Sequence, residues 1–306
     1  RVRPGPGVDV ADLEGLYARL YALDEFEEGT FTDGQGAKAP LRFDPREGGR
    51  RVEVRLRRVA PRDEPHPVAA LGRTGPGPVF LRRPKRSASG TWVANVSRSV
   101  LEIRYVASLE GPAAMRPPVE GEAKAGYEAR FLELPPDLDP RIAALARRLA
   151  AGAEDRRAIV RRVLGHFASG FRYSLEPLPG SEGDPVARFL FEARAGHCEL
   201  YAASVALLLR AAGVPARVAA GYYGGWINPR SRELELGRED AHAWVEALVR
   251  DRWIWVDATP EHLSRVAVKN HENGAKNEHA HLGFECSLED ATGAPVVADP
   301  LNLYHC

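Results

Sequence analysis

The chain has 306 residues and is 44% hydrophobic, enough for two cored domains at ~150 residues each. Its 42 Lys+Arg are matched by 42 Asp+Glu, so the charge footprint of a nucleic-acid binder or an anionic-surface binder is missing. No apolar run approaches the ~18 residues of a membrane span. Three cysteines do not make a disulfide framework.

Residues 8–24 (VDVADLEGLYARLYALD) place Leu13, Leu16, Tyr17 and Leu20 on one stripe and predict a helix. Short alternating runs follow between Gly/Pro-rich stretches: RVEVRLRRV (51–59), VLEIRYVA (100–107) and YEARFLEL (127–134), with PVFLRR (78–83) and TWVANV (91–96) as shorter candidates. Alternation of this kind fits half-buried antiparallel strands. Residues 1–134 are therefore read as a helix plus a β-rich domain, a small sandwich or barrel. The alternating arginines are balanced by acids and read as a solvated strand face.

Leu134-Pro135-Pro136-Asp137 marks a boundary. Asp139-Pro140 supplies an N-cap and a Pro at N1 for a helix reaching about Ala151. A second helix spans about Glu154 to Ala168, with Ile159, Val160, Val163 and Phe167 on one face. FRYSLEP (171–177) is a short strand or extended arm, and Asp184-Pro185 opens a helix that delivers the chain to Gly196. Residues 199–212 (ELYAASVALLLRAA) are apolar nearly all round, so this helix is expected to be buried. Gly213 and Pro215 end it. Strands are expected at about 216–225, 241–249 and 252–259, giving an α+β core of helices followed by an antiparallel sheet.

Cys198 falls at the N-terminus of the buried helix, where unpaired N–H groups and the helix dipole favour a thiolate. Alone, such a cysteine is more often a small apolar core residue. The balance changes because a His lies in the next motif, DAHAWVEA, and an Asp in the one after, WIWVDATP. If Arg250-Asp251 is a two-residue hairpin loop, Trp244 opposes Asp257 and His242 opposes Thr259. His242 and Asp257 then share a face as diagonal neighbours, roughly 7–8 Å apart at Cα. A slip of one residue would separate them.

The motifs GHCELYAASVALLLRAAGVPARVAAGY, DAHAWVEA and WIWVDATP together resemble the transglutaminase-like superfamily, in particular its bacterial membrane-anchored, TgpA-type branch. The resemblance is strong over about 184–260 and extends weakly upstream to Asp139. It implies a papain-like core over 135–264, with Cys198 as nucleophile, His242 as general base and acid, and Asp257 orienting the imidazole. Where the branch reads Asp-Pro-Thr, this chain has Asp257-Ala258-Thr259, which keeps the Asp. The implied chemistry is acyl transfer through a thioester, from a glutamine or amide of a protein or peptide to an amine, or to water in an amidase or protease. A non-catalytic peptide-binding ectodomain is the remaining alternative. The resemblance implies no cofactor and places the chain outside the cytoplasmic membrane, with the flanking membrane helices beyond these residues. The chain opens directly on RVRPGPG, with no signal-peptide pattern.

The oxyanion is expected to meet the Cys198 amide. Trp226 and Trp244 are candidates for lining the site, against ordinary aromatic packing. Glu199, Asp240 and Glu246 flank the three motifs. They read either as a seat for a cationic acceptor amine or, more plainly, as a cap and solvated strand positions. His197 is given no chemical role. Residues 265–306 hold four of the nine histidines and two of the three cysteines. His271, His279, His281, Cys286 and His305 show no zinc-site spacing. That tail is read as disordered or vector-derived, with no metal site.

Overall fold

The computed structural model describes residues 1–27, 30–32, 51–57, 66–67, 85–86, 92–94, 102–108, 122–180 and 183–260. Two antiparallel sheets carry most of the strands. One runs Arg252–Val256, Ala241–Val249, Ala216–Tyr223 and Tyr17–Leu23 in spatial order. The other runs Trp226–Asn228, Glu233–Glu235, Val2–Pro4, Arg51–Arg57 and Glu102–Ser108. The architecture is α+β, as expected.

The long apolar helix is Cys198–Ala211, and every residue from Leu200 to Arg210 is buried. Gly213 follows at φ +79°, a conformation that glycine adopts without the Cβ penalty. The helix lies on one face of the first sheet, against Ala216, Val218, Ala243, Val245, Ala247 and Val249. Its last turn is tied down by Arg210, which donates to the carbonyls of Ala216 (2.8 Å), Glu133 (2.9 Å) and Asp24 (2.8 Å). Upstream helices close the other side of the same core. Pro140–Ala150 has Asp139 as N-cap, its Oδ1 accepting from Arg141 N at 2.8 Å. Arg156–Phe167 is capped by Asp155 and buries Ala158, Val160, Val163 and Phe167. Ile159 is partly buried against the same core.

Pro185–Arg188 runs into a π-helical turn, Phe189–Ala193, and Arg194 then reverses the chain at φ +48°. Ala195–Gly196 next pairs in parallel with Arg172–Tyr173, the short strand anticipated within FRYSLEP. These two links deliver the chain to the start of the cysteine helix.

Two predicted elements are corrected. Residues 8–24 are not one helix: a short 3-10 turn at Val10–Leu13 ends before Gly15 at φ +65°, and Tyr17–Leu23 is a strand. This strand pairs with Ala216–Tyr223, so it joins the sheet beside the cysteine helix. The periodic stripe of leucines is real, but sheet pairing overrides a weak helix preference. YEARFLEL is the other case. Glu122–Arg130 is a helix, and Tyr127 and Phe131 pack on Leu248 and Trp253. A Tyr/Phe pair four residues apart satisfies helical spacing as well as alternation.

RVEVRLRRV and VLEIRYVA do form strands, at Arg51–Arg57 and Glu102–Ser108, and pair with each other. Trp92–Ala94 is a strand within TWVANV. PVFLRR and the tail from 261 lie outside the described residues. Two further short strands, Trp226–Asn228 and Glu233–Glu235, were not anticipated. They pair with each other, and Leu234 of the second pairs with Val2.

Candidate active site

Sequence and register bring three side chains to one end of the first sheet. Arg250 and Asp251 take φ +50° and +59°, the left-handed pair of a two-residue hairpin turn whose twist suits antiparallel strands. Val249 therefore opposes Arg252, and Val245 opposes Val256. The paired register ends there, so Asp257 follows directly after the last paired residue of its strand. His242 Nε2 meets Asp257 Oδ2 at 2.7 Å, and the two side chains are 8% and 6% exposed. Asp257 Oδ1 also accepts from the Thr259 amide at 3.0 Å.

Cys198 is the first residue of its helix, with His197 at the N-cap in extended conformation. The Cys198 thiol is buried, and its ionisation is governed by the side chains of His197 and His242 and by the Ala243 amide. Since Nε2 of His242 is taken by Asp257, its Nδ1 is the nitrogen left for sulfur. Burial pushes the Cys198 thiol up, but the hydrogen bonds from His197 and His242 and the charge of His242 outweigh it, lowering it to about 6. Burial likewise opposes the charged form of His242. The Asp257 and Cys198 contacts win and raise it to about 9. Both shifts run in the direction that favours a thiolate beside an imidazolium.

An aromatic group packs under the imidazole. The Trp244 ring lies nearly parallel to that of His242 (16°, centroids 6.2 Å apart). The Tyr17 ring packs at a tilt, its centroid 4.4–4.9 Å from those of Tyr223, Trp244 and Trp255. Trp244 thus belongs to the site, as a fully buried wall behind the base. Trp226 lies elsewhere in the sheet order. That residue begins a strand of the other sheet, opposite Glu235.

Of the three acidic neighbours, Asp240 caps a short turn, as the plain reading has it, while Glu246 is not a solvated position. Glu246 is buried and accepts from Arg19 at 2.8 Å and from Arg217 at 2.6 and 2.8 Å. Burial would raise its carboxyl, but the two guanidiniums hold it below the usual range. Asp240 is buried and accepts from the Gly237 amide at 2.9 Å. Glu199 lies beside the nucleophile, its Oε2 buried and 3.9 Å from His197 Nδ1. Burial, and then the Cys198 charge, raise it to about 7.

His197, given no role from sequence, helps to lower the Cys198 thiol. Tyr17 was missed as well: its hydroxyl donates to Asp257 Oδ2 at 3.0 Å. No local signal marks it, because the contact spans 240 residues of chain. Among the described residues, no cluster of three or more His, Cys, Asp or Glu could hold a metal ion.

The transglutaminase-like superfamily model matches residues 143–258. A Pseudomonas aeruginosa protein described as a protein-glutamine gamma-glutamyltransferase is 41% identical over 169 residues, which is 55% of this chain and 24% of that protein. The uncharacterised protein YebA of Bacillus subtilis is 30% identical over 141 residues, 44% of this chain and 19% of that one. The match thus spans about a quarter or less of these relatives' own length. Two crystal structures of the periplasmic domain of TgpA from Pseudomonas aeruginosa, one bound to ethylmercury, superpose with TM-scores of 0.70 at 28% and 26% identity. They cover 87% and 90% of this chain, and 91% of each of those chains is matched. Residues 143–258 therefore carry a domain of the transglutaminase-like superfamily, within an α+β chain that has the fold of the TgpA periplasmic domain.

Proposed function

We propose that the chain is a thiol acyltransferase of the protein-glutamine gamma-glutamyltransferase kind, acting through Cys198, His242 and Asp257. The observation that carries this reading is the 2.7 Å His242–Asp257 hydrogen bond, formed where the cysteine helix begins. A thiolate is the nucleophilic form of cysteine, and a base fixed by a third group is the arrangement that nucleophilic catalysis needs.

The reaction follows from these groups. Cys198 Sγ attacks the carboxamide carbon of a glutamine, and a C–S bond forms as the carbonyl electrons move to oxygen. The Cys198 amide, one of the unpaired N–H groups at the helix start, faces the developing charge. The tetrahedral intermediate collapses and the C–N bond breaks. His242 gives its proton to the departing ammonia, leaving a thioester and a neutral imidazole. An amine then attacks the thioester and passes a proton back to His242, and Cys198 leaves as thiolate. Asp257 holds the ring throughout and stabilises its charge whenever it is protonated. The three catalytic residues in this reading lie within residues 135–264, and the substrates are proteins or peptides.

The reading places the chain outside the cytoplasmic membrane. That is supported by its likeness to periplasmic domains. Among the described residues, no helix is long and apolar enough to cross a membrane.

The test is to incubate the chain with a glutamine-bearing protein and a fluorescent primary amine, following both incorporation and ammonia release. The expected result is incorporation matched by ammonia, both abolished by Cys198→Ala. Ammonia without incorporation would make it an amidase, and peptide cleavage a protease. Neither activity, together with an inert Cys198, would overturn the enzyme reading in favour of a binding ectodomain.

A further inference from the structure

The Asp257 carboxylate receives more than the histidine. Its Oδ1 is occupied by the Thr259 amide at 3.0 Å, and its Oδ2 is shared between His242 Nε2 at 2.7 Å and the Tyr17 hydroxyl at 3.0 Å. Tyr17 lies outside the superfamily match at 143–258. It arrives on the strand Tyr17–Leu23, whose bulge sets its face. Pairing runs Leu23↔Val218 to Tyr21↔Ala220, then skips Leu20 and resumes at Arg19↔Gly221 and Tyr17↔Tyr223. Without that skip, Tyr17 would share the side of Leu23, which packs in the core of the cysteine helix. With it, Tyr17 joins Tyr223 and Trp244 on the His242 side. The ring is 7% exposed and touches Tyr223, Trp244 and Trp255, so the hydroxyl has little freedom to point elsewhere.

We infer that Tyr17 is a positioning residue of the site: its hydroxyl fixes the Asp257 carboxylate and, by sharing Oδ2, moderates the pull of that oxygen on the His242 imidazolium. This rests on the acyltransfer reading above. A hydrogen-bond donor on a carboxylate oxygen draws charge from it, leaving less for the second donor on the same atom. Burial and the adjacent Asp257 charge raise Tyr17 far above its usual range, so it remains a neutral donor at every working pH. Among the described residues, the titratable groups that bear on the pair include Tyr223 near Asp257, Cys198 beside His242, and His197 with Glu199 beside Cys198.

The test is Tyr17→Phe, which keeps the ring and removes the donor. Alkylation of Cys198 by iodoacetate is followed across pH. An anionic reagent needs both the thiolate and the imidazolium, so its rate rises and then falls with pH. With the hydroxyl gone, the falling limb moves up by about half a pH unit or more, and acyl-transfer turnover drops about tenfold with KM unchanged. A site-specific 3-fluorotyrosine at position 17, a stronger donor of the same shape, moves the falling limb down. A limb that stays put in both variants, or moves in the opposite directions, overturns the inference. Wild type decides the parent reading separately: if Cys198 has no enhanced reactivity near neutral pH, the acyltransfer proposal itself fails.

Discussion

At pH 7 an ordinary cysteine is a few per cent thiolate, because its pKa is about 8.5. Burial alone would make Cys198 worse, so its reactivity depends on what its neighbours contribute. The hydrogen bonds and charge from His197 and His242 reverse the burial effect and bring it to about 6. His242 in turn reaches about 9 because Asp257 and Cys198 hold its proton. The sign is opposite for the two groups: raising the pH through 6 creates the thiolate, and raising it through 9 removes the imidazolium. Iodoacetate should therefore label Cys198 fastest between about 6 and 9. His242→Ala removes one source of thiolate stabilisation and leaves burial unopposed from that side. The rising limb should then move up toward the ordinary cysteine range of about 8.5, and acyl transfer should fall by ~10³ or more. Asp257→Ala should act on the other limb, because without the carboxylate only Cys198 is left to offset the burial of the imidazolium. Its falling limb should move down by more than a pH unit, and turnover should fall by about 10²–10⁴. A rising limb unchanged in His242→Ala, measured by mass mapping of the alkylated cysteine, would contradict the ion pair.

At the scale of elements, the bulge in Tyr17–Leu23 depends on Gly221. A Cβ built there would sit 2.1 Å from the Ala18 carbonyl oxygen and 2.9 Å from the Leu20 amide nitrogen. These are backbone atoms and cannot swing aside, so the strands must separate. Gly221→Ala should cost about 1–3 kcal/mol or more as overpacking. Because the displaced strand carries Tyr17, activity should fall along with stability, as read by urea unfolding and amine incorporation on one preparation. Stability lost with activity intact would mean that this strand does not support the site. The same bulge explains why the strand was illegible in the sequence. YARLYAL (residues 17–23) has no consistent period of two across a skipped residue, and its leucines fall on a helical stripe. The hairpin was legible for the converse reason. With a two-residue turn, parity fixes every facing pair, so Asp257 had to fall diagonal to His242 once the turn was placed at Arg250-Asp251. The capped helices were equally readable, since Asp-Pro at 139–140 and 184–185 states both cap and first turn. YEARFLEL failed because two apolar periods coexist in it. The burial of Glu246 could not be read locally, since Arg19 and Arg217 reach it from two other strands.

For the whole molecule, the question is which length of chain makes a working site. Residues 143–258 contain Cys198, His242 and Asp257 and match the superfamily, yet they lack an edge of their own sheet. The N-terminal segment supplies it. Tyr17–Leu23 covers Ala216–Tyr223, and Val2 pairs with Leu234. Arg3 meets buried Glu233 at 2.6 Å, and Arg19 completes the Glu246 cluster. Leu13, Leu16, Leu20 and Leu23 are all buried. At about 1.5–3 kcal/mol for each buried leucine, these four alone approach the roughly 5–15 kcal/mol that a domain has in total. Removing Arg19 also leaves Glu246 with half of its charge partners, and breaking such a buried pair costs about 3–5 kcal/mol. Deleting residues 1–24 should therefore abolish cooperative thermal unfolding, followed by circular dichroism, and with it the alkylation of Cys198 near neutral pH. Adding residues 1–24 back as a separate peptide should restore neither at micromolar concentration. Docking that strand now costs an association entropy of ~4–15 kcal/mol, which the intact chain does not lose. A deletion variant that melts cooperatively and still alkylates at neutral pH would show that the superfamily segment is self-sufficient and that the N-terminal strand is an accessory.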